Sequence, residues 1–315
     1  MKLVVTDAST VVGNGVTLDF LRQFGDVAAY DLTPPEALCE RLADADIVLC
    51  NKTELTGEVL RSAKHLRFAG VFATGYNNID IETARQLGIT VCNVPGYSTE
   101  AVAQHTFALL LALINRVEDY NATVRAGDWV KSRTFSYFPI PLAELSGKTV
   151  GIVGYGAIGR RVAEIARAFR MKVLVYNRHP VTEDGVAWVP LNTLLEQADI
   201  VSLHCPLNDD SRGMMDDGAF RRMKDGAIFL NTARGPLVDE AALRRALDSG
   251  HLQGAGLDVL CEEPMAADCP LLGAPRCLIT PHVAWAGVET RLRLMGVVEE
   301  NIRAFLDGKP INKIV

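Results

Sequence analysis

The chain has 315 residues, 49% of them hydrophobic and 22% charged, with a formal net charge of -6 and a pI near 5.6. That composition belongs to a packed globular protein of one large domain or two ordinary ones and excludes a disordered chain. No basic block stands out, so there is no electrostatic footprint for nucleic acid or an anionic membrane.

The chain opens Met1-Lys2-Leu3-Val4-Val5-Thr6-Asp7, meeting an acid too soon for a secretory signal. The most apolar segment, 106–114, is about half the length that spans a bilayer. A cytoplasmic location is therefore expected. Residues 2–6, 27–30, 47–50, 68–72 and 90–93 read as strands, and 17–24, 35–43, 56–62 and 81–87 as helices with polar starts. Strand–helix alternation at this spacing predicts a mostly parallel sheet covered on both faces.

Ser98-Thr99-Glu100 opens a long helix over 98–116 whose alanines and leucines fill almost every face. A helix apolar all round is expected to be buried, here between domains. Residues 127–141, rich in aromatics and turn residues, predict an extended surface connection. A second α/β series follows from Lys148. Its predicted strands are 149–153, 172–176, 200–203, 227–231, 254–258 and 277–280, and its helices 158–169, 191–197, 216–222 and 240–249. A final amphipathic helix over 287–306 stops at Asp307-Gly308-Lys309-Pro310.

Seven cysteines are scattered with no C-x-x-C pair. Cys261, Cys269 and Cys277 recur every eight residues, but zinc sites need tighter paired spacing, so no metal is expected. Reduced, mostly buried thiols are the expected state.

The strongest motif is a strand running into Gly154-Tyr155-Gly156-Ala157-Ile158-Gly159 and then a helix. In a G-x-G-x-x-G turn the first glycine permits the tight turn, the second lets a pyrophosphate approach the backbone, and the third lets helix and strand pack closely. The helix N-terminus, at Ala157 and Ile158, offers N–H groups and partial positive charge to phosphate. A carboxylate for the ribose hydroxyls of NAD is expected at the end of the next strand, where the chain reads Tyr176-Asn177-Arg178. Two readings stand. Loss of the acid removes repulsion against a 2′-phosphate and Arg178 pairs with it, giving NADP use; or Asn177 hydrogen-bonds the ribose of NAD and Arg178 is solvated.

Three further segments fall at predicted strand ends, where a doubly wound sheet puts its ligand: Asn231-Thr232-Ala233-Arg234-Gly235, Leu257-Asp258-Val259-Leu260-Cys261-Glu262-Glu263-Pro264 and Thr280-Pro281-His282. An arginine grips a carboxylate with a two-pronged fork and polarises a neighbouring carbonyl. A histidine donates a proton as hydride arrives, and an acid keeps it charged and oriented. Singly, each has a plainer explanation: Arg234 as a helix cap, Glu263 on a solvated turn, His282 as a satisfied polar side chain.

Taken in order, G-x-G-x-x-G, N-T-A-R-G, D-V-x-x-x-E-P and T-P-H resemble the D-isomer-specific 2-hydroxyacid dehydrogenases, and among them the glycerate dehydrogenase (hydroxypyruvate reductase) branch. Residues 73–80, 93–100 and 280–286 support the resemblance, which runs through nearly the whole chain. It implies two doubly wound parallel-sheet α/β domains, a Rossmann dinucleotide-binding domain over 99–285 inserted into a discontinuous flavodoxin-like substrate domain of 1–98 and 286–315, with two connecting helices as the hinge. It implies Arg234 as substrate-binding arginine, His282 as proton donor and Glu263 as its acid, with Glu262 a decoy because the family's acid immediately precedes proline. Thr74, Gly75 and Trp285 would face the substrate. Thr232, Ala233, Asp258, His282 and Ala284 would flank the nicotinamide of NAD(H) or NADP(H), and Cys205 and Pro206 the adenine end.

The implied reaction is reduction of hydroxypyruvate or glyoxylate to D-glycerate or glycolate by a homodimer joined through the cofactor domain. Oxidation of D-3-phosphoglycerate, phosphite or formate, and a catalytically silent dinucleotide-sensing regulator, are the alternatives. Phosphoglycerate dehydrogenases often carry a long C-terminal regulatory domain, and an end at Val315 weighs against that assignment. Asn177 in place of the usual acid and Leu260 where Phe is common are the departures from the family pattern, and the second has no interpretation from sequence.

Overall fold

Short apolar runs bounded by turns become the strands of two parallel sheets, each buried on both faces. The computed structural model describes all residues from 1 to 315 and divides into two units, Met1–Ser98 with Trp285–Val315, and Thr99–Ala284.

In the first unit β1 (Lys2–Val5), β2 (Asp26–Ala29), β3 (Ile47–Cys50), β4 (Phe68–Val71) and β5 (Thr90–Cys92) form a sheet ordered β2-β1-β3-β4-β5, parallel throughout. This is the doubly wound order of flavodoxin-like sheets. Because side chains alternate along a strand, Leu3 and Val5 face one core with Leu294, Val298 and Ile302 of the closing helix Val288–Leu306. Val4 and Val48 face the other core, beneath α1 (Leu38–Leu42), α2 (Gly57–Ser62) and α3 (Ile81–Leu87). Thr56 and Asp80 cap α2 and α3 through their side chains. The C-terminal residues cover the β5 edge, with Ile314 donating to the Val91 carbonyl at 2.7 Å.

The helices expected at 17–24 and 35–43 come out differently. The first is a 3-10 turn, Asp19–Gln23, with no side-chain cap and Gly25 close behind it, too short a stretch to propagate an α-helix. The second begins as a 3-10 turn, Pro35–Ala37, where proline removes an N–H donor, before α1 takes over.

The second unit contains α4 (Thr99–Asn115), α5 (Val117–Arg125), β6 (Thr149–Val153), α6 (Ala157–Ala168), β7 (Lys172–Tyr176), β8 (Ala187–Trp188), α7 (Leu191–Gln197), β9 (Ile200–Leu203), α8 (Asp217–Arg222), β10 (Ala227–Asn231), α9 (Glu240–Asp248), β11 (Leu252–Leu257) and β12 (Cys277–Ile279). Its sheet runs β12-β11-β10-β9-β6-β7-β8, all parallel. The order of winding reverses at β6, with β7 and β8 added on one side and β9 to β12 on the other, which puts the topological switch point of a Rossmann sheet at the β6 and β9 strand ends. Phe107, Leu110, Val162 and Ala166 pack α4 and α6 on one face. Leu194, Phe220, Leu243 and Leu247 pack α7, α8 and α9 on the other.

Here too the structure corrects the sequence reading. The helix expected to be buried all round leaves Gln104, Ala108, Ala112 and Asn115 exposed in one stripe. It ends at Arg116, which takes a left-handed conformation (φ 49°), and the unforeseen α5 follows with no buried residue. The short strand β8 was also not foreseen. Of the seven cysteines, all free, only Cys50 and Cys92 are buried and Cys261 is exposed, so the thiols are less buried than expected. No helix is long and apolar enough to cross a membrane.

Candidate active site

The glycine turn sits where β6 meets α6. Gly154 has φ +97°, and a Cβ there would lie 2.4 Å from the Cys205 nitrogen; a Cβ on Gly159 would lie 2.2 Å from the Gly154 carbonyl oxygen. Any side chain at these positions would force the turn away from β9 or lift α6 off the strand. Gly156, by contrast, has nothing within 4 Å of its Cβ position. It is the N-cap of α6 and supplies no side-chain cap, so the N–H groups of the first turn, at Ala157 and Ile158, keep their anion-binding capacity. These are the features a dinucleotide pyrophosphate requires, and the residues fit that group.

Around the turn, Asn177 Oδ1 accepts from Tyr155 N at 3.4 Å and the Asn177 carbonyl accepts from Trp188 Nε1 at 3.2 Å. Arg178 lies 3.3 Å from Asp210, both largely exposed, so its charge has an acidic neighbour that the sequence pattern does not reveal. Burial pushes the Cys205 thiol up to about 11, and Pro206 beside it is exposed, its carbonyl accepting from Ser211 Oγ at 2.8 Å.

His204, at the end of β9, is a second residue the sequence reading missed. Its Nε2 lies 2.8 Å from Ser202 Oγ, while Nδ1 is buried without a partner. The signal is a polar i, i+2 pair on one face of an otherwise apolar strand. Burial pushes the imidazole down to about 3, so it is neutral in the folded protein. Unfolding lets it take up a proton below its ordinary pKa near 6.5, so its contribution is intact above about pH 6.5 and lost as pH falls towards 3. Between pH 7.5 and 5.5 this one group should remove about 1.4 kcal/mol of stability. Urea unfolding of wild type and His204→Gln at both pH values should show a shallower pH dependence in the variant by about that amount; equal slopes would contradict the assignment.

The three loops at the ends of β10, β11 and β12 close on one another. Asn231 folds the first, its Nδ2 donating to the Arg234 carbonyl (2.9 Å) and its Oδ1 accepting from Ala233 N (3.0 Å). Thr232 is buried, its hydroxyl 3.0 Å from that of Thr106 on α4. Gly235 presses on the second loop so tightly that a Cβ would lie 1.9 Å from the Leu260 carbonyl carbon. Leu260 is buried, and its N–H donates to Glu263 Oε1 at 3.0 Å, which gives this position a packing and an anchoring role.

The other Glu263 oxygen is 2.6 Å from His282 Nδ1. The imidazole pairs with Glu263 and not with Glu262. With Nδ1–H committed to the carboxylate, Nε2 is the position left for a transferable proton. His282 itself takes a left-handed conformation (φ 53°), and its N–H donates to the Asp258 carbonyl at 2.9 Å. Arg234 caps no helix through its side chain; its guanidinium donates to the Ala233 carbonyl at 2.7 Å and pairs with no carboxylate of the chain. A guanidinium with no acid partner can hold an anionic substrate, and an imidazole–carboxylate pair on adjoining loops can protonate an oxygen on it.

In the first unit the loops at the C-terminal ends of the strands are tied together separately. The buried Asp7 carboxylate accepts from the backbone N–H groups of Asn51, Lys52 and Thr53. Thr74 Oγ1 donates to the Val94 carbonyl at 2.8 Å, and Asn93 Nδ2 donates to the Thr74 carbonyl at 2.7 Å, with Gly75 next in the loop. Trp285 is half-buried against the core beneath the closing helix.

The fold and loops together define a dehydrogenase of the Rossmann type. The profile described as D-isomer specific 2-hydroxyacid dehydrogenase, NAD binding domain, matches residues 107–284, and the chain belongs to that family. It is 42% identical to a hydroxypyruvate reductase of Blautia hydrogenotrophica over 100% of this chain and 99% of the relative. It is 41% identical to a glycerate dehydrogenase of Methylorubrum extorquens over 89% of this chain and 88% of that one. Among solved structures, an acyclic imino acid reductase in complex with NADPH and D-Arg superposes with a TM-score of 0.90 at 34% identity, covering 100% of both chains. The chain is a 2-hydroxyacid dehydrogenase by family, with a nicotinamide dinucleotide as its cofactor.

Proposed function

We propose that this protein is an NAD(P)-dependent D-2-hydroxyacid dehydrogenase that reduces hydroxypyruvate and glyoxylate to D-glycerate and glycolate. The observation that carries the reading is the 2.6 Å His282–Glu263 pair on loops adjoining that of Arg234, whose guanidinium has no acid partner. A bound nicotinamide would supply the hydride. Arg234 holds the keto-acid carboxylate and polarises its carbonyl, His282 gives the proton from Nε2, and Glu263 holds Nδ1 and stabilises the imidazolium. Thr232, Ala233, Asp258 and Ala284 would flank the nicotinamide, and Cys205 and Pro206 the adenine. In the first unit, substrate binding is assigned to Thr74, Gly75 and Trp285.

With Asn177 at the ribose position and Arg178 beside it, both coenzymes are accepted. Initial rates with hydroxypyruvate, glyoxylate and pyruvate, each with NADH and NADPH, should show hydroxypyruvate and glyoxylate preferred and measurable turnover with NADPH. Asn177→Asp should shift preference towards NADH by charge repulsion. Strict NADH use by the wild type, unchanged by Arg178→Ala, would remove the electrostatic argument.

The second unit also presents an apolar surface that suits a second copy of the chain. Phe135 is 91% and Phe138 79% exposed, with Val117, Val124, Trp129 and Val130 also exposed. Local bonds, Trp129 Nε1 to the Phe135 carbonyl and Tyr120 OH to the Ile140 carbonyl, organise this segment without covering the rings. Such a cluster on a single chain suits an isologous two-fold contact. Light scattering should return twice the 34.2 kDa chain mass, reduced by Phe135→Glu; the single-chain mass for wild type would reject the dimer.

A further inference from the structure

The Asp258 carboxylate, 1% exposed, is enclosed by the residues on either side of His282. Oδ1 accepts from Thr280 Oγ1 at 2.6 Å and from Val283 N at 2.9 Å, and Oδ2 accepts from Ala284 N at 2.8 Å. With the Asp258 carbonyl holding His282 N, the whole segment from Thr280 to Ala284 is wrapped on one aspartate. This bracket offsets the left-handed conformation at His282, which is unfavourable for a non-glycine residue. A further group reaches it from α4: His105 Nε2 lies 2.9 Å from Thr280 Oγ1 and 3.4 Å from Asp258 Oδ1. No motif contains His105, and 175 residues separate it from Thr280.

We infer that His105 is a positioning residue for the proton donor, acting on His282 through the Thr280 hydroxyl and the Asp258 carboxylate. This rests on the assignment of His282 above. A threonine hydroxyl has one proton to give. At 2.6 Å from a carboxylate that proton goes to Asp258, in a charge-assisted bond, so the bond between Thr280 and His105 is donated by Nε2–H of the imidazole. Neutral with its hydrogen on Nε2, or protonated, His105 supplies the same donor. Asp258 is the titratable group that faces it. The bond prevents the Thr280 hydroxyl from turning to its other acceptor, the Leu257 carbonyl at 3.4 Å, and so keeps Oδ1 gripping the loop beside His282. Without it the bracket loosens, and the imidazole leaves the geometry in which Nε2 delivers its proton.

The test compares His105→Leu and His105→Gln in the full-length enzyme, reading kcat, keto-acid KM, dinucleotide Kd, thermal midpoint and the solvent deuterium isotope effect on kcat. Loss of one hydrogen bond of this kind should lower kcat about tenfold in His105→Leu, with a larger isotope effect because proton delivery becomes slower. KM, Kd and the midpoint should stay near wild type. His105→Gln, whose amide N–H can replace Nε2–H, should recover kcat to within about twofold of wild type. Should His105→Leu fail to fold, Thr280→Val against Thr280→Ser makes the same comparison, with the serine retaining kcat and the valine losing it. A His105→Leu enzyme with wild-type kcat, a glutamine as poor as the leucine, or a loss that follows Kd or the midpoint would each overturn the inference. His282→Ala measured alongside separates the two claims. If it retains turnover, the proton-donor assignment fails; if it loses turnover while His105→Leu does not, the failure belongs to His105 alone.

Discussion

His282→Ala is expected to lower kcat for keto-acid reduction by roughly 100-fold or more, the scale of a lost general acid, while leaving dinucleotide affinity little changed. The reason lies in the division of labour on the ring. Nδ1 is held 2.6 Å from Glu263, so with His282 as the proposed proton donor the proton for the new alkoxide would leave from Nε2. Asp258 grips the segment through backbone groups at residues 282, 283 and 284, and an alanine leaves all of these in place. The deficit should therefore fall on the chemical step. Near-normal turnover in this variant would show that the proton comes from elsewhere.

Arg234→Lys should be the second largest effect, despite keeping the charge. A guanidinium presents two parallel N–H groups to a carboxylate and can reach the adjacent carbonyl oxygen at the same time; an ammonium is a point charge with no such fork. The loss of a charge-assisted hydrogen bond, about 1.5–3 kcal/mol, corresponds to a fall in kcat/KM of about 10- to 100-fold. It should be divided between a raised keto-acid KM and a lowered kcat, because the contact to the carbonyl strengthens as charge develops there. Steady-state kinetics with hydroxypyruvate decide it, and an unchanged kcat/KM would show that the carboxylate binds at another residue.

Much of this fold is legible in the sequence because parallel strands buried on both faces are continuous apolar runs. Thr149–Val153, Lys172–Tyr176, Ile200–Leu203 and Ala227–Asn231 begin and end where the pattern puts them. The helical surroundings are less legible for identifiable reasons. Ala103 is buried while Ala108 and Ala112 are exposed, and residue type alone does not separate them. The break at Arg116 has neither glycine nor proline to announce it. The two-residue strand Ala187–Trp188 is too short to show a period.

The candidate site divides in the same way. The glycine turn and the contact between His282 and the acid before Pro264 lie in local motifs, and the structure has both where the pattern puts them. The backbone of Leu260 holds Glu263 and lies against Gly235, contacts that no residue type announces, while leucine in place of phenylalanine there has no structural explanation. His204 and His105 act through burial and through contacts with distant segments, Thr280 in the case of His105, which no spacing rule encodes.

The reaction itself is tested most directly by incubating the enzyme with NADH and hydroxypyruvate, following NADH consumption and resolving the enantiomers of the product. One D-glycerate formed for each NADH consumed is the predicted result. L-glycerate, or no NADH or NADPH consumed with either hydroxypyruvate or glyoxylate, would contradict the account.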